Sequence, residues 1–303
     1  DAFPPGFPIV MTSPAASAEA VLPDRRFRAL LPSLFAGLAF AVLFYRPAAL
    51  LVRDWWTNPE AGHGLLLFPV AMWLAWKRGW AADSRPNPAL GIVVLLAAVL
   101  LRAVSELAAE LFTMRFSMVA AALGLIVFHR GIRQVWAWWL PCVLVILSIP
   151  LPELITSALA LPLQFRASRM GAALLEWRQI PVRLSGNVLE IPGHRLFVTE
   201  ACSGLRSLTA LLSIAFLLGG LWLDRIWTRG ALVAAAIGIA VVINGVRVFL
   251  TGFLVYFVDP KLGEGFLHLT EGWLLFLVSL VLIAGVTKLL AFWNRQKGEP
   301  HAV

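Results

Sequence analysis

Cys202 stands in the run Thr199-Glu-Ala-Cys-Ser-Gly-Leu-Arg-Ser207, at the head of an apolar stretch of helical length. A helix N-terminus offers unpaired N–H groups and the positive end of the peptide dipole, both of which favour a thiolate over a thiol. Arg206 is expected one turn further on, on the same face as the cysteine, adding a fixed positive charge. Gly204 allows close approach of another backbone, and Ser203 adds a hydroxyl beside the thiol. A sulfur nucleophile could be activated in this way. The competing reading is a buried cysteine packed as a small hydrophobe, the commoner fate of a single thiol.

Two other segments supply what a nucleophile needs. Ile243-Asn-Gly-Val-Arg-Val248 sets Asn244 and Arg247 inside an otherwise apolar run. An arginine within a membrane helix costs roughly 2.5–3.5 kcal/mol on insertion scales, so it calls for a partner, a wet cavity or a reach to the headgroups. His268, with Glu271 one turn on, precedes the last apolar run in His268-Leu-Thr-Glu-Gly-Trp273. An imidazole there could take the thiol proton and return it to a leaving amine. Arg247 could stabilise an oxyanion in a low-dielectric site, and Glu271 could orient His268. Alone, each residue has a plainer reading: a snorkelling arginine, a cap histidine, a helix-start acid. Their convergence favours chemistry.

The elements that must position them are membrane spans. The 303 residues are 60% hydrophobic and 14% charged, with 13 Trp, far too apolar for a soluble domain. About eight segments satisfy the ~20-residue requirement of a ~30 Å hydrocarbon core. They run near 30–52, 64–80, 89–109, 115–128, 135–151, 203–223, 230–257 and 271–293, the second and fourth being short. Alternate connections are basic: Arg25/Arg26/Arg28, Lys77/Arg78/Arg85, Arg130/Arg133, Arg225/Arg229 and Arg295/Lys297. The intervening ones mix signs, with Arg53, Asp54 and Glu60, then Glu106, Glu110 and Arg115, then Asp259, Lys261 and Glu264. By the positive-inside rule both termini face the cytoplasm, which sets Cys202, Asn244, Arg247 and His268 toward the outer side. The net charge of +8 is thus a topology signal and not a nucleic-acid signature.

The long connection 152–201 is expected on the outer side. Residues 154–177 carry apolar positions at helical spacing interrupted by Gln164, Arg166, Ser168 and Arg169, as in an interfacial or re-entrant helix. Residues 182–198 alternate apolar and polar around Gly186-Asn187 and Pro192-Gly193, which predicts short strands or a hairpin above the bilayer. The fold class is therefore an all-α polytopic membrane protein with a small outer-face helix and a β-hairpin before Cys202. One domain is expected over residues 29–297, between a cytoplasmic tail (1–28, of which 1–10 precede Met11 and read as a leading remnant) and a C-terminal tail (298–303). Cys142 lies in an apolar span and reads as core. His63 is expected on the outer face, near the substrate's path or simply in an interfacial loop. His194 falls in a turn, and His129 on the opposite side from Cys202. Glu106 and Glu110 sit near an outer helix end, facing water or a basic group. No cofactor is implied, and His268 with Glu271 makes too few ligands for a metal.

The segments Ala201-Cys-Ser-Gly-Leu-Arg-Ser207, Asn244-Gly-Val-Arg247 and His268…Gly272-Trp273 resemble the exosortase/archaeosortase family of membrane-embedded cysteine transpeptidases. The resemblance extends to Gly186-Asn187…Ile191-Pro192 and, more weakly, to His63-Gly64. It implies a catalytic triad of Cys202, Arg247 and His268. The implied partners are membrane-anchored proteins whose C-terminal sorting signal joins a short motif, in bacteria typically Pro-Glu-Pro, to a transmembrane helix and a basic tail. Cleavage would occur at the outer face of the cytoplasmic (inner) membrane, among lipids, with transfer to an acceptor nucleophile that the sequence does not identify. No nucleic-acid partner is implied. Two other classes fit a polytopic chain: a transporter, and a non-catalytic scaffold of an envelope polysaccharide or secretion assembly. Against the first, the intramembrane charges gather at one face and form no path across the bilayer. A scaffold or transporter should tolerate Cys202→Ser, whereas a cysteine enzyme should not.

Overall fold

A computed structural model describes the backbone of residues 25–198, 203–258 and 265–296, and side chains over most of that range. Contacts divide the chain inside helix α1 (Arg25–Thr57), after Leu43, and all later elements belong to the unit that starts at Phe44. Among the described residues, six helical segments are long and apolar enough to cross a membrane: Leu34–Thr57, α3 (Pro88–Leu107), α4 (Leu111–Arg130), α8 (Leu205–Trp222), α9 (Ile226–Phe257) and, within α10 (Gly265–Gln296), Gly272–Asn294. The protein is a polytopic helical membrane protein.

The other two expected spans fold differently. Residues 64–80 give α2 (Gly64–Arg78), whose 15 residues rise only about 22 Å, short of a hydrocarbon core. Residues 135–151 break into α5 (Ile132–Ala137) and α6 (Trp139–Leu147). Pro141 explains the break. It has no N–H for the Ala137 carbonyl four residues back, and its ring clashes with a continuing helix. The released Ala137 carbonyl accepts a hydrogen bond from Arg78 Nη1 at 3.0 Å. α2 and α6 pack together through Leu67, Ala71, Leu74, Leu140 and Leu144.

The connections gather at two ends. At the basic end, Gln134 and Trp138 reach the α2–α3 link: Trp138 Nε1 donates to the Gly79 carbonyl at 3.0 Å and Gln134 Oε1 accepts from Ala81 N–H at 2.8 Å. Arg130 lies over the Trp80 ring and Arg229 over Trp139, each a cation–π contact below 5 Å. At the mixed-charge end, Trp55 Nε1 donates to the Ser148 carbonyl at 2.7 Å, and buried Arg115 pairs with Asp54 at 2.6 Å. Glu106 there bridges Arg46 and Arg102, so it does meet basic groups. The loops that the charge pattern assigned to one side thus meet one another.

Between the mixed-charge end and α8 stands α7 (Glu153–Trp177), followed by β1 (Arg183–Ser185), β2 (Val188–Ile191) and β3 (His194–Phe197). Ala160, Gln164, Ala167, Ser168, Gly171, Ala172 and Leu175 form one buried stripe on α7 at spacings of three and four. The stripe meets α9 at close range. A methyl group on Gly171 would lie 2.5 Å from Val248 Cγ1, and one on Gly245 2.8 Å from Met170 Cβ, so small residues set this helix–helix distance. The strands form an antiparallel meander in the order β1-β2-β3, turning at Gly186-Asn187 and at Pro192-Gly193 as their alternation predicts. Leu184, Leu189 and Leu196 share its inner face, packing on Ala167, Ala172, Leu175 and Val255.

Candidate functional site

Asn244 and Arg247 lie three residues apart on α9, so they face the same way and point between α8 and α10. On the α8 side, Gly204 caps the helix in a left-handed conformation with φ +81°. A methyl group there would fall 2.6 Å from Cγ of Asn244 and 2.9 Å from its Nδ2. The glycine therefore serves both the backbone turn and the packing. Ser203 is buried, and its Oγ accepts a hydrogen bond from Leu205 N–H at 3.3 Å. On the α10 side, a methyl group on Gly272 would lie 3.3 Å from Nη2 of Arg247 and 3.4 Å from its Cζ. The guanidinium rests against α10.

Ser207, Asn244, Arg247, Gly272 and Ser279 line one narrow crevice with apolar walls from Ile243, Leu275 and Phe276. Ser207 and Ser279 are lining residues that the sequence reading missed. Their signal was spacing: Ser207 lies in the first turn of α8, three residues beyond Gly204, and Ser279 two turns beyond Gly272. Ser279 is buried and returns its hydroxyl to the Leu275 carbonyl at 2.9 Å.

Cys202 lies outside the described residues, in the short link between β3 and α8. His268 and Glu271 belong to the first turns of α10, and their side chains lie outside the described residues. Chain connectivity still constrains them. Cys202 is two residues from Gly204, which touches Asn244, and His268 is one helical turn from Gly272, which touches Arg247. Helix α8 begins at Leu205, after the left-handed turn at Gly204; the expectation that Cys202 and Arg206 share a helical face falls on Cys202, outside the described residues. Arg206 is the second residue of α8 and is exposed.

His63 is placed elsewhere. It caps α2, and its Nε2 hydrogen-bonds the Leu147 carbonyl at 3.1 Å, tying the α1–α2 link to the end of α6. Burial holds its imidazole below the ordinary value, against hydrogen bonds to the Leu147 and Glu60 carbonyls that favour the protonated ring. The next residue, Gly64, is pressed against the Trp55 indole, so this corner is tightly packed.

Membrane-length helices enclosing a polar crevice beside a link that carries a cysteine define a multi-pass membrane protein with a site built from successive helices. The chain belongs to the transmembrane exosortase family, whose model, described as Transmembrane exosortase, matches residues 55–285. No curated protein and no solved structure matches the chain.

Proposed function

We propose that the protein is a membrane cysteine transpeptidase or protease that removes C-terminal sorting signals at the outer face of the cytoplasmic membrane. The observation that carries this reading is the double contact of α9: Asn244 against Gly204, two residues from Cys202, and Arg247 against Gly272, one turn from His268. Family membership supplies the class. Cys202 Sγ attacks the carbonyl carbon of the scissile peptide after giving its proton to His268. Arg247 donates to the oxyanion of the tetrahedral intermediate, as a preorganised charge does in a site with little water. Collapse of that intermediate breaks the C–N bond. His268 protonates the departing amine, which leaves with the substrate's membrane tail, and a thioester remains on Cys202. An acceptor nucleophile, or water, resolves the thioester and regenerates the thiol. The basic loops favour the cytoplasmic side by the positive-inside rule, which supports an outer-face site.

The test is co-expression with a tagged protein ending in Pro-Glu-Pro, an apolar helix and a basic tail. Loss of the tail in the wild type and a fall of several orders of magnitude in Cys202→Ser is the expected result. Equal processing by the variant would reduce Cys202 to a packing residue.

A further inference from the structure

The strand that delivers the chain to Cys202 ends the sheet. β3 pairs with β2 on one side only, and its backbone polarity is fixed by the turn at its end. Val198 N–H donates to the Asn187 carbonyl at 2.9 Å, and Asn187 Nδ2 donates to the Val198 carbonyl at 3.0 Å. Backbone groups of successive strand residues point to alternate sides. Val198, Leu196 and His194 therefore face β2, and Arg195 and Phe197 turn their N–H and C=O groups to the open edge. Sheets blunt such an edge with proline, a bulge, a charge or a short strand; β3 is short and carries the charge of Arg195, but it holds no proline. Its two outward side chains are exposed, Phe197 by 64% and Arg195 by 73%.

We propose that the open edge of β3 is the rail on which an extended segment of the protein substrate docks as a fourth strand. This rests on the reading of the protein as a peptide-cleaving enzyme and says how the peptide is held. Main-chain hydrogen bonds to Arg195 and Phe197 supply binding that tolerates different sequences, and the exposed side chains supply selection. The register gives the charge the rail favours. Arg183, Glu190 and Arg195 lie side by side across the three strands, with Arg195 Nε 3.2 Å from Glu190 Oε1. Two cations share one anion, so the exposed face keeps a surplus positive charge that suits an acidic side chain, while Phe197 suits an apolar one. Reach agrees as well. Cys202 follows Phe197 by five residues, so at ~3.3–3.6 Å per residue the nucleophile lies within about 18 Å of the rail. A segment of some five extended residues spans that distance.

Cross-linking tests this with the full-length protein. Phe197→Cys is introduced with Cys142→Ala and Cys202→Ala and co-expressed with the same tagged substrate. Single cysteines are stepped through the residues before its motif. Expected are disulfides at every second position, because side chains of a paired strand alternate between faces. In parallel, Phe197→Pro in the active enzyme deletes one outward N–H while sparing the bonds to β2, and is expected to slow tail removal at least tenfold. Arg195→Glu is expected to be slow on a substrate carrying an acidic residue in the segment before the motif, and to recover when that residue becomes lysine. Cross-links at no position, or equally at all, with the wild type still removing the tail, would overturn the docking mode alone. No tail removal by the wild type would overturn the functional reading, and the docking mode with it.

Discussion

Gly204 has no room for a side chain: its backbone is left-handed, and a methyl group would overlap Asn244. Gly204→Ala is expected to add about 1–2 kcal/mol of backbone strain besides the steric shift. Because the displaced group is Asn244, tail removal should fall at least tenfold at unchanged protein level; near-normal turnover would show that the contact does not position the site. Arg247 makes the opposite demand, for a planar fork of donors. Arg247→Lys keeps the charge and loses the fork, and a fall in kcat of about a hundredfold is expected for loss of an oxyanion donor. A fall confined to KM would assign Arg247 to substrate binding. Both residues were legible in the sequence, one as a glycine after a cysteine, the other as an arginine in an apolar run. Their contacts were not, because each involves a residue on another helix.

At the scale of elements, the buried pair at the mixed-charge end ties α1 to α4. Arg115 is 3% exposed, whereas the Asp54 carboxylate is 31% exposed. Removing the acid strands a buried guanidinium; removing the arginine leaves an acid that water can still reach. Asp54→Asn is thus expected to cost about 1–3 kcal/mol, below the 3–5 of a fully buried broken pair. Arg115→Met should cost less, and the double variant should recover part of the loss. Thermal unfolding in detergent reads this order, and equal losses would mean the pair is not desolvated. The sequence shows Arg115 beside a span but gives no sign of its partner 61 residues away. Local signals fared better. The Gly186-Asn187 and Pro192-Gly193 turns give the hairpins, and the α7 stripe follows its spacing; the break after Ala137 went unread, because hydropathy joined residues 135–151 into one span across Pro141. The expected span near 203–223 is α8, which starts two residues later because Gly204 takes a left-handed conformation that apolar periodicity does not reveal.

The whole molecule follows from charge and length. Among the described residues of the larger unit, the basic connections around residues 79–81, 130–138 and Arg229 meet at one end, and the mixed ones around Asp54, Glu106 and Arg115 meet at the other. Two segments shorter than a hydrocarbon core, α2 and the broken α5–α6 pair, lean on each other between those ends, and their length was the part of the topology that hydropathy could not resolve. Trp76, Trp80, Trp136, Trp222 and Trp227 are exposed near the basic end, where indole rings favour the membrane interface. This frame leaves the crevice of Asn244 and Arg247 toward the other end, beside the link that carries Cys202. The account's central claim is that this thiol becomes acylated by the substrate. The direct measurement is mass spectrometry of the enzyme recovered from cells making the sorting substrate, with and without hydroxylamine. A hydroxylamine-labile adduct on Cys202 carrying the substrate's new C-terminus, and none on Cys142, is the expected result. Tail removal with Cys202 unmodified, and undiminished in Cys202→Ala, would contradict it.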